Sequence, residues 1–432
     1  MSYIAHFIPI VLFILCFVGS GIYFSILGTP NAFYQLSPVT AIIPAIALGW
    51  LLHKGTTQQR MHDFLDGVRH PDIITMCIIF LLAGAFSEVT KHIGSVDASV
   101  NLALSLIPSK FLLIGVFLIS AFISSAIGTS MGTIATIAPI AAGLSIQADF
   151  LPALGVATVV GGAMFGDNLS IISDTTIAAV MSQEADMKKK LKLNAKVACV
   201  ASILTIAILM ISADGRVSIE AKEYSLLLVT PYIVLMLLAI TGVNVFVALS
   251  ISISFAGIIG LVTNHDYGVL IFSQDLNKGF AGMNEIMLLS LMVGGLSGLA
   301  GKNFTRETAE KLSAWISKRK AGDRLSQLVI AKLVSIFDIL LANNTIAIIF
   351  TGEIAREIAK KHKIPPHYSA AWLDIFSCVF QGIIPYGAQI LLASTIAGLS
   401  PLAVIPYVYY CYVLGGVAIL HIIFIKIERD KI

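Results

Sequence analysis

Charge is what this sequence has least of. Lysine, arginine, aspartate and glutamate make up 12% of its 432 residues, against 57% hydrophobic residues and a mean hydropathy of +0.90. A soluble domain carries about twice that share of charge, so the composition excludes one and indicates a polytopic membrane protein. The net charge of +3 gives no support for a nucleic-acid partner. Cysteine is scarce as well: Cys16, Cys77, Cys199, Cys378 and Cys411 stand singly in apolar runs without metal-ligand spacing, and read as packing residues. The first apolar run, 7–27, lacks both a basic flank and a small-residue cleavage site, so it reads as a retained helix and not a signal peptide. No nucleophile–base constellation is evident, so the chain is not read as an enzyme.

What is present is long apolar sequence, in two series of the same order. Windows fall at about 8–28, 38–53, 72–93, 110–147, 151–181 and 195–213, and again at about 224–241, 243–263, 284–300, 325–350, 368–396 and 402–425. The window 110–147 is interrupted at Ser124-Ser125 and Gly128-Thr129-Ser130, leaving arms too short for the ~20 residues of a full crossing, which predicts a re-entrant hairpin. Its counterpart 325–350 breaks at Asn343-Asn344-Thr345. Short matches recur at an offset of roughly 211–216 residues: Asp63 to Gly67 with Asp275 to Gly279, LLAGAFS at 81–87 with LMVGGLS at 291–297, and 165–179 with 380–394. The expected fold is all-α, with two repeats of five transmembrane helices plus a hairpin each. The first spans 1–213 (hairpin 110–147, broken helix 151–181) and the second 214–432 (hairpin 325–350, broken helix 368–396). With the N- and C-termini cytoplasmic, 22 of the 28 Lys and Arg fall inside, Lys188, Lys189, Lys190, Lys192 and Lys196 among them, and five fall outside. Five crossings per repeat invert the second repeat relative to the first, and the hairpin tips then meet near the midplane. Residues 56–70 and 303–320 read as surface segments, the latter as an amphipathic helix against lipid.

The stretch 153–180 organises the rest. It begins and ends as membrane helix, yet its middle holds Asp167, Asn168, Ser170, Ser173, Asp174, Thr175 and Thr176. An ionised Asp at bilayer depth costs roughly 2.5–3.5 kcal/mol, so such acids face a cavity and mark an ion or proton path; the blander alternative is a loop outside the bilayer. The run is too long for one straight crossing, which predicts a break around Gly166 to Asp174, where unwound carbonyls join carboxylate, hydroxyl and amide oxygens. Asp167 and Asp174, seven apart, share a helix face, and Na+ at this pair competing with a proton is the expected chemistry. Gly128, Thr129 and Ser130 at the first hairpin tip, and Asn343, Asn344 and Thr345 at the second, can hold either a cation or the carboxylate of a substrate. In the second broken helix, Pro385-Tyr386-Gly387 makes the break and Gln389 falls opposite Asp174. Asp374 is the best membrane-buried candidate among the remaining acids Asp338, Glu353 and Asp374. Lys332 either pairs with Asp338 or snorkels to the interface.

The runs GDNLSIISDTT at 166–176 and GTSMGTIATIAPIA at 128–141 resemble the NhaC-type sodium/proton antiporter family. The resemblance implies paired inverted repeats, re-entrant hairpins, elevator-like movement and a homodimer, as in the wider ion transporter superfamily. Two features depart from the family pattern: Ile171-Ile172 stand where a proline is usual, and the second half reads ANNT and PYGAQ where better-known members carry another tip and an IPWN-like break. The expectation is a secondary transporter of the bacterial inner membrane exchanging Na+ for H+, with no cofactor and with Na+ and H+ as the transported or coupling ions. The alternatives are a sodium- or proton-coupled carrier of an amino acid or small organic anion on the same fold, and an ion channel.

Overall fold

Prolines and left-handed cap residues cut the apolar sequence into helices. In this computed structural model, residues 8–27, 29, 35–108, 111–171, 173–212, 223–241, 243–300 and 322–427 are described, and among them no strand occurs. The first half runs α1 (Ile8–Ile26), α2 (Pro38–Leu52), α3 (Thr57–Val68), α4 (Pro71–His92), α5 (Ser95–Leu106), α6 (Leu112–Ile127), α7 (Ser130–Gln147), α8 (Pro152–Leu169), α9 (Asp174–Gln183) and α10 (Met187–Ser212). The second half runs α11 (Leu226–Ile240), α12 (Val245–Thr263), α13 (Val269–Gly282), α14 (Asn284–Ala300), α15 (Asp323–Leu341), α16 (Asn344–Lys361), α17 (Pro366–Gln381), α18 (Ala388–Ala397), α19 (Pro401–Val404) and α20 (Tyr409–Phe424). Six stretches of the described residues are long and apolar enough to cross a membrane. Large apolar side chains stay exposed along several helices, such as Leu15, Leu51, Ile203, Ile211, Val262 and Phe424, as a lipid-facing surface requires.

The chain turns between two packed helices at both expected hairpin positions. The α6–α7 turn closes at Gly128, whose φ of 76° is the left-handed region that glycine enters without cost; the α15–α16 turn closes at Ala342 with φ 50°. Both expected breaks form too, between Leu169 and Asp174 and between Gln381 and Ala388. Beyond α18, Gly398 and Pro401 turn the chain by 95°.

The packing is reciprocal between halves. Helix α3 lies on α14 and α13 on α4, and both crossings rely on glycine: a Cβ on Gly67 would stand 2.0 Å from the Gly294 carbonyl oxygen, and one on Gly279 2.5 Å from that of Gly84. Asp63 and Asp275, matched in the sequence series, each anchor a neighbouring helix end. Asp63 meets His53 at 3.0 Å, while buried Asp275 meets His92 at 2.8 Å and accepts from the Tyr267 hydroxyl at 3.0 Å. Each broken helix also sends its second arm onto the other half's hairpin, α9 onto α16 and α18 onto α7.

Hydropathy misplaces three elements. Helices α5 and α13 lie outside every apolar window, because each presents only a few residues to a neighbour, Asp275 and Gly279 in the case of α13. Helix α10 begins at Met187, about eight residues before its apolar window, because Lys190, Leu193, Asn194 and Val197 form a buried face amid exposed lysines. The expected amphipathic helix at 303–320 lies outside the described residues, while 57–68 is the surface helix α3, with none of its residues fully buried.

Candidate ion-binding site

Helix α8 reaches the middle of the molecule because its small residues let α6 approach. A Cβ on Gly162 would lie 2.5 Å from the Phe117 carbonyl oxygen, and one on Gly166 2.4 Å from Ser124 Cβ; this Gly-xxx-Gly face is seated on the first hairpin arm. The Ser124 hydroxyl closes the contact by donating to the Ala163 carbonyl at 2.6 Å. The chain then unwinds at Ser170–Ser173, so the last carbonyls of α8 carry their partial negative charge into the break.

Asp167 sits at that point, 4% exposed. One carboxylate oxygen accepts from the Ser130 hydroxyl at 3.0 Å, and the other accepts from Ser173, which also contacts Thr175 Oγ1 at 2.9 Å. Among the described residues no cationic side chain contacts it, so its donors are hydroxyls drawn from the first hairpin and from the break. From Ser130 a polar chain continues into the second half: Gln389 Nε2 donates to Ser130 Oγ (3.1 Å), and Gln381 Nε2 donates to Gln389 Oε1 (2.8 Å) and to the Ala342 carbonyl at the second hairpin turn (3.2 Å). Both hairpins and both broken helices therefore meet in one hydrogen-bonded string.

Beside it stands a second buried acid. Asp374 Oδ2 accepts from Lys190 Nζ at 2.5 Å and from Asn194 Nδ2 at 2.8 Å, with Lys190 and Asp374 both wholly buried. Lys190 also donates to Thr176 Oγ1 at 2.7 Å, and Asn194 to the Asn168 carbonyl at 3.0 Å, so α9, α10 and the end of α8 are tied to α17. Several oxygens around the break, Ser170 Oγ, Asn194 Oδ1 and Asp374 Oδ1, are buried without a hydrogen-bond partner among the described residues. Such a concentration of unmatched acceptors suits a hard cation.

The candidates read from the sequence thus separate. Asp167, Asn168, Ser170, Ser173, Thr175, Thr176, Ser130, Asp374 and Gln389 are buried together around the break. Asp174 is exposed at the start of α9, so the two acids of the expected pair occupy different environments: unwinding rotates the second out of the face that the first shares with the hairpin. Asn343 and Asn344 are buried but commit their side-chain oxygens to the N-terminus of α16, capping Ile346 and Thr345, and Thr345 itself is half-buried. Gly128 and Thr129 shape the first turn. Pro385 and Gly387 form the second break, where the Tyr386 hydroxyl donates to the Ile339 carbonyl at 2.6 Å. Lys332 is exposed and does not pair with Asp338. Lys190, read as one of a cytoplasmic run, is instead buried in the site. The i,i+4 spacing of Lys190 and Asn194 is the signal that could have found it.

Comparisons with known proteins find relatives for most of the chain. Residues 71–214, which hold the first hairpin and broken helix, match the Na+/H+ antiporter family. The Na(+)/H(+) antiporter NhaC of Bacillus subtilis (strain 168) is 23% identical over 388 residues, covering 82% of this chain and 85% of that protein. NhaC of Alkalihalophilus pseudofirmus is 35% identical over 100 residues, 23% of this chain and 22% of that one. Among solved structures, the YdaH transporter of Alcanivorax borkumensis superposes with a TM-score of 0.46 at 15% identity, covering 96% and 98% of the two chains. The family match thus falls on the first hairpin and broken helix, and most of the chain is similar, at 23% identity, to a sodium/proton antiporter, a transporter and not an enzyme.

Proposed function

We propose that this protein exchanges Na+ for H+ across a bacterial inner membrane, with the Asp167 carboxylate as the group for which the two ions compete. The observation that carries the proposal is the environment of Asp167: an acid buried where both hairpins and both broken helices meet, held by hydroxyls, and unpaired with any fixed cation among the described residues. In such a site burial favours the neutral acid and a bound cation favours the carboxylate, so one group serves both ions in turn. Ser173, Ser170, Asn168 and the carbonyls ending α8 supply further oxygens for Na+, while Lys190 keeps Asp374 compensated whichever ion is bound. The reciprocal packing of the halves supports an inverted repeat. The gathering of hairpins and broken helices into one group, against α2–α4 and α12–α14, supports movement of that group as a unit. Gln389, Asn343 and Asn344 are engaged in the string and in helix capping rather than open to an organic substrate, which favours the ion exchanger.

Purified protein in proteoliposomes with an imposed pH gradient should show proton flux that requires Na+, and Asp167→Asn should abolish it. Proton flux indifferent to Na+, or none in the wild type, would sink this reading.

A further inference from the structure

A second group of metal-ligating side chains stands on the surface helix α3, and none of its residues belongs to the site around Asp167. His62, Asp63 and Asp66 bring one ligand atom each together, all within 4.8 Å of one another. His62 Nδ1 lies 3.3 Å from Asp66 Oδ2 and 3.7 Å from Asp63 Oδ1. Spacing along the helix explains the meeting, since residues four apart stack on one face and Asp63 adjoins His62. A tetrahedral ion with bonds of about 2.0–2.1 Å keeps its ligand atoms about 3.4 Å apart, so the three atoms already stand at the separation such an ion sets.

Both carboxylates are oriented by their other oxygen. His53, at the end of α2, accepts the Gly55 amide on Nδ1 at 2.9 Å, which requires a lone pair there and leaves the ring proton on Nε2. That N–H donates to Asp63 Oδ2 at 3.0 Å, so Asp63 is held through one oxygen while Oδ1 faces His62. Arg69 contacts Asp66 Oδ1 and leaves Oδ2 toward the same imidazole. Hydrogen bonds of this outer kind fix ligand carboxylates in metal sites. Arg60, on the same helix, is engaged with the loop, its Nε donating to the Gly55 carbonyl at 2.9 Å.

The matching helix of the other half shows that the fold does not need this set. Asp275 of α13 corresponds to Asp63, and Gly279 to Gly67, each glycine making the close approach to the helix beneath it. There Gln274 stands in the place of His62 and Lys278 in the place of Asp66, and Lys278 Nζ itself lies 3.8 Å from Asp275 Oδ1. Seating the helix thus takes the aspartate and the glycine alone. One helix adds an imidazole and a carboxylate where the other adds an amide and a cation.

We propose that His62, Asp63 and Asp66 bind a divalent transition-metal ion of the zinc class, with water completing its coordination on the exposed side of α3. A nitrogen beside two carboxylate oxygens suits Zn2+ better than Mg2+ or Ca2+, which take oxygen ligands. His53 is the positioning residue for Asp63. The bound ion pins α3 to the end of α2 beside its seat on α14, and it takes no part in the exchange at Asp167.

The test titrates Zn2+ into the full chain in detergent, freed of any purification tag and stripped with chelator. The wild type should bind about one Zn2+ per chain and melt at a higher temperature when it does. His62→Ala should weaken binding by about tenfold or more and abolish the shift, with the metal-free melting temperature unchanged because the side chain is exposed. Asp66→Asn, which keeps the side-chain shape, should lose the ion in the same way and stands in if H62A does not fold. His53→Ala should weaken binding by about tenfold with all three ligands present, and His53→Gln, which keeps a donor, should restore it. No Zn2+ on the wild type, or wild-type affinity in H62A or D66N, overturns the proposal and leaves the cluster a set of surface ion pairs. Mg2+ displacing Zn2+ at equal concentration overturns the choice of metal class.

Discussion

The two halves of the molecule place the same parts at the centre, a hairpin turn and a helix break, yet furnish them with different chemistry. In the first half the break holds an acid gripped by Ser130 and Ser173. In the second it holds Gln381, Gln389 and Tyr386, which are neutral and can donate. One half places a carboxylate at its break, and the other places neutral groups that hydrogen-bond toward it. A turn and a break stand at the centre of both halves, whereas their side-chain chemistry differs.

Substitutions can break this comparison in order of size. Asp167→Asn should remove Na+-dependent thermal stabilisation entirely, because the acid of the break that is held by hydroxyls alone is lost; survival of the stabilisation would place the ion elsewhere. Lys190→Met should destabilise the folded protein by about 3–5 kcal/mol by leaving Asp374 as an uncompensated buried charge. Pairing it with Asp374→Asn should recover most of that loss, and detergent melting curves of the single and double variants measure the coupling. Gly166→Ala forces a methyl group into Ser124 and the Ser125 backbone. Its expected cost is about 1–3 kcal/mol, read as a lower melting temperature with altered transport, since it displaces the hairpin from the break. Ser130→Ala removes one donor from Asp167 and the acceptor of Gln389; a loss of about 1 kcal/mol, roughly five-fold in Na+ affinity, is expected by titration. A far larger effect for Ser130 would mean that the second half contributes to binding and not only to positioning.

Much of the architecture was legible along the chain. Gly128, Asn343 and the run from Ser170 to Ser173 announce their breaks by composition, and the windows put a turn followed by a broken helix in each half, as the helix order has them. The burial of Asp167 was legible because an acid amid small apolar residues is too costly to expose to lipid. Lys190 was not, because hydropathy averages a single buried lysine with its exposed neighbours, and only the face it shares with Asn194 sets it apart. Asp174 misled for the opposite reason. Spacing of seven predicts a shared face only while the helix is intact, and the unwinding at Ser170 that makes the site also turns Asp174 away.

The sequence alone determined where the chain had to turn or break and which acids had to avoid lipid, because those are local matters of backbone geometry and transfer cost. Tertiary structure decided which acid received hydroxyls and which received a lysine. Those partners come from residues as far apart as Ser130 and Gln389 or Lys190 and Asp374, and only packing brings them within hydrogen-bonding distance.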